Sequence, residues 1–594
     1  RLFGFSSWSL LAPQAVEGVL SVLLLFAAVR RWFGPEAGLI AGAVLALTPA
    51  AALIFRFNNP DALLVLLMTA AAYCVQRAIE RDRTRWLVLA GALLGFAFLT
   101  KMMQAFLVLP GFGLAYLWAG PARLRRRLWQ LLAGLGGVIA GGGWWIAIAE
   151  LTPAADRPYF GGSTNNNILE LTLGYNGLGR LDGSETGSIG GGGATGTRFG
   201  GATGIFRLFQ SEFGGQVSWL IPAALLSLAA LLWVSRRAAR TSRTRAFALL
   251  WGGWLLVTGL VFSYMQGIIH PYYMVALAPA IGALVGAGAI ALLRSDTPVV
   301  GRAVAAAGIL GTGVWAYVLL DRSPTWLPWL RWTVLLAGLL GAAAVFAVPA
   351  LLGGAARRGG SARPAAMLAY APLALALVAG LGGPLAYSLD TANTTHTGSL
   401  PSAGPTVAGA FGGPGGGPGG NGGPGHGARA GTGRPFGART GAGTGTGAST
   451  GTGTGNGTGA GTAPGGTGGF PGGAGGLSGS TQVSSALIKL LEQGASQYKW
   501  IAATEGSQSA APIELATGGD AVMAIGGFNG TDPAPTLAQF EAMVAKHEIH
   551  YYVGQGNNSF GGGSGSSAIA SWVAAHFKSD TVGGVTVYNL TTAK

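Results

Sequence analysis

The chain has 594 residues, a formal net charge of +15, and only 10% charged residues against 50% hydrophobic ones. So little charge among so many apolar residues excludes an ordinary soluble domain and points to the membrane class. The basic excess does not indicate a nucleic-acid binder, because most of it lies in short breaks between apolar spans, and a lone cysteine, Cys74, excludes an intrachain disulfide.

The first two-thirds of the chain reads as about twelve apolar segments, each near the length of helix that crosses a bilayer. They fall at 13–31, 36–55, 61–79, 85–99, 103–118, 130–149, 217–234, 246–263, 271–293, 303–320, 328–352 and 366–388. Arginines cluster at every second break: Arg30 and Arg31, then Arg77 to Arg85, Arg123 to Arg127, Arg236 to Arg245, Arg294 and Arg302, and Arg357 to Arg363. The positive-inside rule makes that side cytoplasmic. The other breaks then face outward, including the long loop from Glu150 to about Gln216. Twelve crossings place both chain ends on the outer side. The opening Arg1 to Ser9 reads as the end of an outer loop, so the expectation is a chain lacking an upstream helix and loop, which would bring the count to about thirteen.

From 391 to 480 the chain becomes a Gly/Thr/Pro-rich tract with almost no large apolar residues. Such a composition buries too little surface to offset chain entropy and is expected to be a disordered linker, with an r.m.s. reach of roughly 50 Å. A shorter Gly-rich insertion spans Gly183 to Gly204 in the outer loop. Globular patterning returns over 481–594. Helices are predicted at 483–492, 536–546 and 568–577, and strands at 499–503, 521–525, 549–553 and 585–590. This alternation predicts a small C-terminal α/β domain, mostly parallel, carried on the extracytoplasmic side. The GGFNG run at 526–530 does not fit a dinucleotide-binding pattern and reads as a tight turn after a strand.

Polar residues gather at the outer ends of the spans. FRFNNPD holds Arg56, Asn58, Asn59 and Asp61; LTKMMQ holds Lys101; GIIHPYY holds His270, Tyr272 and Tyr273. Glu150 closes the sixth span, and ILELTLGYNG holds Glu170, Tyr175 and Asn176. Charge at this depth is costly unless paired or functional. Several cations converging on one face suit an anion such as a lipid-linked phosphate. Plainer readings stand beside each: a snorkelling lysine, a helix-start aspartate favoured by the dipole, and tyrosines of the aromatic belt.

The runs FRFNNPDALL, GFAFLTKMMQAFLVLPG and GIIHPYYMVALAPA resemble the multi-spanning GT-C glycosyltransferases of family 39, which include protein O-mannosyltransferases and the lipid A aminoarabinose transferase. The resemblance covers about residues 1–390. KWIAAT, VMAIGGFNGTDPAPTLAQF and HYYVG resemble the C-terminal extension of an actinobacterial subgroup. The resemblance implies a polytopic α-helical fold and transfer of a hexosyl or pentosyl unit from a polyprenyl-phosphate sugar to an outer-face glycolipid, cell-wall glycan or protein. It implies donor phosphate contacts at Lys101, Arg56 and His270. Sugar or acceptor contacts are expected at Asn58, Asn59, Asp61, Tyr272, Tyr273, Glu170 and Tyr175. The acidic catalytic base of the family's first outer loop would lie before Arg1, so no residue here is assigned that role, and the chain as it stands is expected to be inactive. No cofactor is assigned, and use of a divalent metal is left open. A transporter or flippase, and a plain membrane anchor for the C-terminal domain, are the alternative readings.

Overall fold

The computed structural model describes residues 4–154, 156–184, 200–294, 298–357, 370–396, 400–407, 483–528, 530–554 and 564–594. The bulk of the 391–480 tract and of the 183–204 insertion lies outside the described residues.

Ten helices among the described residues are long and apolar enough to cross a bilayer. They begin with α1 (Ser7–Phe33), followed after Gly34 by the short α2 (Pro35–Leu47) and α3 (Pro49–Ile54). Next come α4 (Asp61–Arg81) and α5 (Thr84–Lys101), then α6 (Leu109–Ala119), α7 (Leu124–Val138) and α8 (Trp144–Leu151). Further apolar helices span Ser211–Val234, Arg243–Tyr264, Pro271–Leu293, Pro298–Asp321, Pro328–Leu351 and Ala371–Asn393.

The count departs from twelve in two places, each with a local cause. The expected span 36–55 breaks at Thr48, where extended backbone precedes Pro49, and its longer piece has only 13 residues. The expected spans 85–99 and 103–118 follow one another without a loop, so Thr84–Ala119 forms one helical run of 36 residues. A straight helix of that length would measure about 54 Å, well beyond a hydrocarbon core of about 30 Å. The run is broken at Met102, whose φ of 42° and ψ of −128° are not helical. The last span also extends further than expected, to Asn393. Beyond it, Gln216 exchanges two hydrogen bonds with the Ala403 backbone, so the start of the Gly-rich tract is pinned to the membrane region.

The helices pack around one apolar core drawn from most of the spans, while α1 and α7 leave much of their surface outward. A seam of small residues brings α5 and α7 together. A Cβ on Gly91 would lie 1.9 Å from the Gly134 carbonyl oxygen, and one on Gly95 would lie 2.4 Å from that of Val138. Glycine is required there because the two backbones touch.

The C-terminal domain is a five-stranded sheet with order β2-β1-β3-β5-β4. Its strands are β1 (Trp500–Glu505), β2 (Val522–Ile525), β3 (Ile549–Gly554), β4 (Phe577–Val582) and β5 (Val585–Ala593). Only β2, β1 and β3 are parallel; β5 pairs antiparallel with β3, and β4 with β5. The sheet is therefore mixed. The β4–β5 hairpin and the helix Ser507–Ala516 were not anticipated, because exposed β4 lacks apolar alternation and the helix contains Pro512. Leu487, Leu491, Ala510 and Ile513 cover one face, and Phe540, Val544, Ile569 and Val573 the other. The result is a three-layer α/β/α sandwich.

Candidate functional site

α4 and α5 form a hairpin that turns at Asp82, a residue in the left-handed region with φ of 48°. Antiparallel packing therefore returns the end of α5 to the start of α4. Asp61 opens α4 and Lys101 closes α5, so each charge sits at the helix end whose dipole favours it. Lys101 Nζ donates to Asp61 Oδ2 at 2.6 Å. Asp61 is completely buried, and its Oδ1 has no hydrogen-bond partner among the described residues. Asn59 Oδ1 accepts the Asp61 backbone N–H at 2.9 Å, which holds the helix start in place.

Aromatic rings enclose the lysine. Its ammonium lies 3.5 Å from the Tyr273 ring centroid and 5.4 Å from that of Tyr272. His270 stacks on Tyr272 at 5.5 Å and meets Tyr273 edge-on at 5.4 Å. Pro271 starts the following 3-10 turn, where its missing N–H costs nothing, and carries both tyrosines inward. Burial, reinforced by the positive charges of Arg180 and Lys101, holds the His270 imidazole well below its ordinary value, at about 3. The ring is neutral at any physiological pH.

Arg180 carries no sequence signal that marks it as part of the site. Its Nη1 donates to the Ile268 carbonyl at 2.8 Å, and its guanidinium lies 4.4 Å from the Tyr175 ring. Backbone bonds from Gln266 and Gly267 to Leu181 and Arg180 tie this part of the outer loop to GIIHPYY. No spacing signal relates Arg180 to His270 across 90 residues, so the pairing of two outer loops was not legible.

The structure thus brings Asn59, Asp61, Lys101, His270, Tyr272 and Tyr273 together, with Tyr175 joined through Arg180. Arg56 and Asn58 are exposed on the preceding turn, and among the described residues no hydrogen bond or ion pair links them to the cluster. Glu170 turns into its own loop, where its carboxylate accepts the Thr164 and Asn165 N–H groups at 3.1–3.2 Å. Glu150 faces Arg157 at 4.0 Å. Asn176 and Thr172 reach Met102 Sδ at 3.2 and 3.7 Å, so the outer loop also braces the residue after Lys101. Among the described residues no three His, Cys, Asp or Glu side chains gather as a metal site.

Further along the loop, Gly162 N donates to Asp532 Oδ1 of the C-terminal domain at 3.1 Å. Asp532 is buried at the turn that follows β2, where its own N–H bonds the Gly526 carbonyl.

Comparison with known proteins adds the chemistry. Residues 1–145 match the family described as dolichyl-phosphate-mannose-protein mannosyltransferase, and residues 487–576 match the family described as "putative mannosyltransferase YkcB-like, C-terminal". With the polytopic helical fold, these matches indicate a membrane glycosyltransferase. Its relatives include YkcB and YycA of Bacillus subtilis strain 168, both named "putative mannosyltransferase". YkcB is 29% identical, covering 97% of this chain and 81% of its own; YycA is 28% identical, covering 98% and 84%. Among solved structures, ArnT from Cupriavidus metallidurans bound to undecaprenyl phosphate aligns with a TM-score of 0.39 and 22% identity. That alignment covers 65% of this chain and 64%, just under two thirds, of ArnT.

Proposed function

We propose that this glycosyltransferase moves a hexosyl or pentosyl unit, mannose- or arabinose-like, from a polyprenyl-phosphate sugar to an acceptor on the outer membrane face. The reading rests on one observation: a lysine at a span end, ringed by tyrosines and held by a buried carboxylate that keeps one oxygen unpaired. A departing lipid phosphate needs a fixed cation, and Lys101 supplies it, with Arg180 as a second positive charge nearby. The free Asp61 Oδ1 accepts a sugar or acceptor hydroxyl, and Tyr272 and Tyr273 offer rings against which a pyranose face packs. Neutral His270 serves as a hydrogen-bonding wall and not as a third cation. The dolichyl-phosphate-mannose name of the matching family supports the choice of donor. Arg56, Asn58 and Glu170 carry no part in this reading. The C-terminal domain sits extracytoplasmically and meets the acceptor, which is a glycolipid, a cell-wall glycan or a protein.

The test is transfer from a radiolabelled polyprenyl-phosphate mannose in membranes containing the full-length protein. Lys101→Ala is expected to abolish transfer while the protein still purifies as a monodisperse species. Full activity in that variant removes Lys101 from the mechanism.

A further inference from the structure

A second concentration of charge lies at the other end of α4. The 21 residues from Asp61 to Arg81 rise about 30 Å, one hydrocarbon thickness, so this place is distinct from the Lys101–Asp61 site. It is a cavity of about 640 Å³ lined by Ala27, Arg30 and Arg31 of α1, by Tyr73, Glu80 and Arg81 of α4, and by Arg243. Arg243 opens the helix Arg243–Tyr264.

The only carboxylate in the lining among the described residues is already engaged. Glu80 accepts from Arg31 Nε at 2.7 Å, from Arg77 Nη1 at 2.9 Å and from Trp32 Nε1 at 2.6 Å. Arg30, Arg81 and Arg243 are exposed, and among the described residues no carboxylate pairs with them. Among the described residues, three cations from three different helices therefore converge on one cavity with no carboxylate paired to them. Tyr73 also lines the wall.

One observation sets the ligand apart from a free anion. Val16, Leu20 and Leu23 are exposed on α1, and with Ala27 and Arg30 they follow a four-three-four-three spacing along one helix face. That face is an apolar strip leading into the basic cavity, which matches an amphiphile with an acyl or prenyl chain and an anionic head.

We propose that this cavity is a lipid-phosphate site on the arginine-rich side of the membrane. The phosphate is held by Arg30, Arg81 and Arg243, and the chain lies along Val16–Leu23 of α1. A glycerophospholipid and a polyprenyl monophosphate share this chemistry, and the experiment separates them. The full-length protein is placed in phosphatidylcholine nanodiscs doped with phosphatidylglycerol or, in a parallel arm, with a polyprenyl monophosphate. Lipid retained after detergent exchange is then counted by native mass spectrometry.

Retention of one lipid phosphate is expected in either or both arms, and the arm that retains it names the source. The triple variant R30Q/R81Q/R243Q should lower retention by roughly tenfold or more, since each cation near the surface attracts an anionic head. Arg237→Gln, on the same side but outside the cavity, should leave it unchanged. Should the triple variant fail to fold, Arg243→Gln alone should still give a several-fold loss. Equal retention by the folded variants overturns the proposal, as does equal loss in Arg237→Gln. Displacement by inorganic phosphate as effectively as by lipid overturns the role of the α1 strip.

Discussion

Lys101 and Asp61 are 40 positions apart in sequence and 2.6 Å apart in space. The pair is buried on the carboxylate side, so its two charges are worth far more together than either alone. Removing one partner of such a pair strands a charge and costs about 3–5 kcal/mol. Asp61→Asn and Lys101→Met should each lower the thermal midpoint in detergent. The double variant should recover much of that stability and still transfer no sugar. Additive losses of stability in the double variant would show that the two residues act independently.

The α5–α7 seam sets the height and direction of Lys101, since α5 ends on it. Gly91→Ala forces a methyl into the Gly134 carbonyl, and no side-chain rotation relieves a clash with backbone. Overpacking of this kind costs about 1–3 kcal/mol. We expect a lower thermal midpoint, and lower transfer even at temperatures where the variant is folded. The exposed Gly136, with open space around it, is the control, and Gly136→Ala should be silent.

His270 links stability to acid. Above its ordinary value of 6.5 the ring is neutral whether the chain is folded or unfolded, and pH does not act through it. As pH falls from 6.5 toward about 3, the unfolded chain takes up a proton that the folded chain refuses, so stability declines across that window. His270→Gln should flatten the decline, read as the thermal midpoint against pH. Between pH 7 and 8 the two proteins should show the same pH dependence of transfer, and a transfer step lost only in His270→Gln over that range would contradict a neutral ring.

The Gly162–Asp532 hydrogen bond joins the outer loop to the C-terminal domain. A bond to a charged acceptor contributes about 1.5–3 kcal/mol. Asp532→Ala should therefore raise hydrogen exchange over residues 159–166 while leaving exchange in α4 and α5 unchanged. Unaltered exchange in the loop would mean that the contact holds nothing in place.

The membrane class, the alternation of arginine-rich and polar breaks, and the recovery of a small α/β domain after the Gly-rich tract were legible in the chain. Each depends on composition and on periodicity over neighbouring residues. Lys101, Asp61, His270, Tyr272 and Tyr273 were also picked out one by one, as polar groups at span ends. Their gathering on one membrane face was legible too, but the contacts among them were not, because those depend on how α4 and α5 fold back and on which loops meet. Arg180 shows this most clearly: nothing local marks it, and its bond to the Ile268 carbonyl and the backbone bonds from Gln266 and Gly267 bring it to His270. The antiparallel half of the C-terminal sheet was hidden for a related reason, since β4 is an exposed edge strand whose pairing with β5 comes from hydrogen bonds and not from burial. Local chemistry is written residue by residue, whereas contacts between distant segments are decided by packing, and the charge pair at the centre of the site belongs to the second kind.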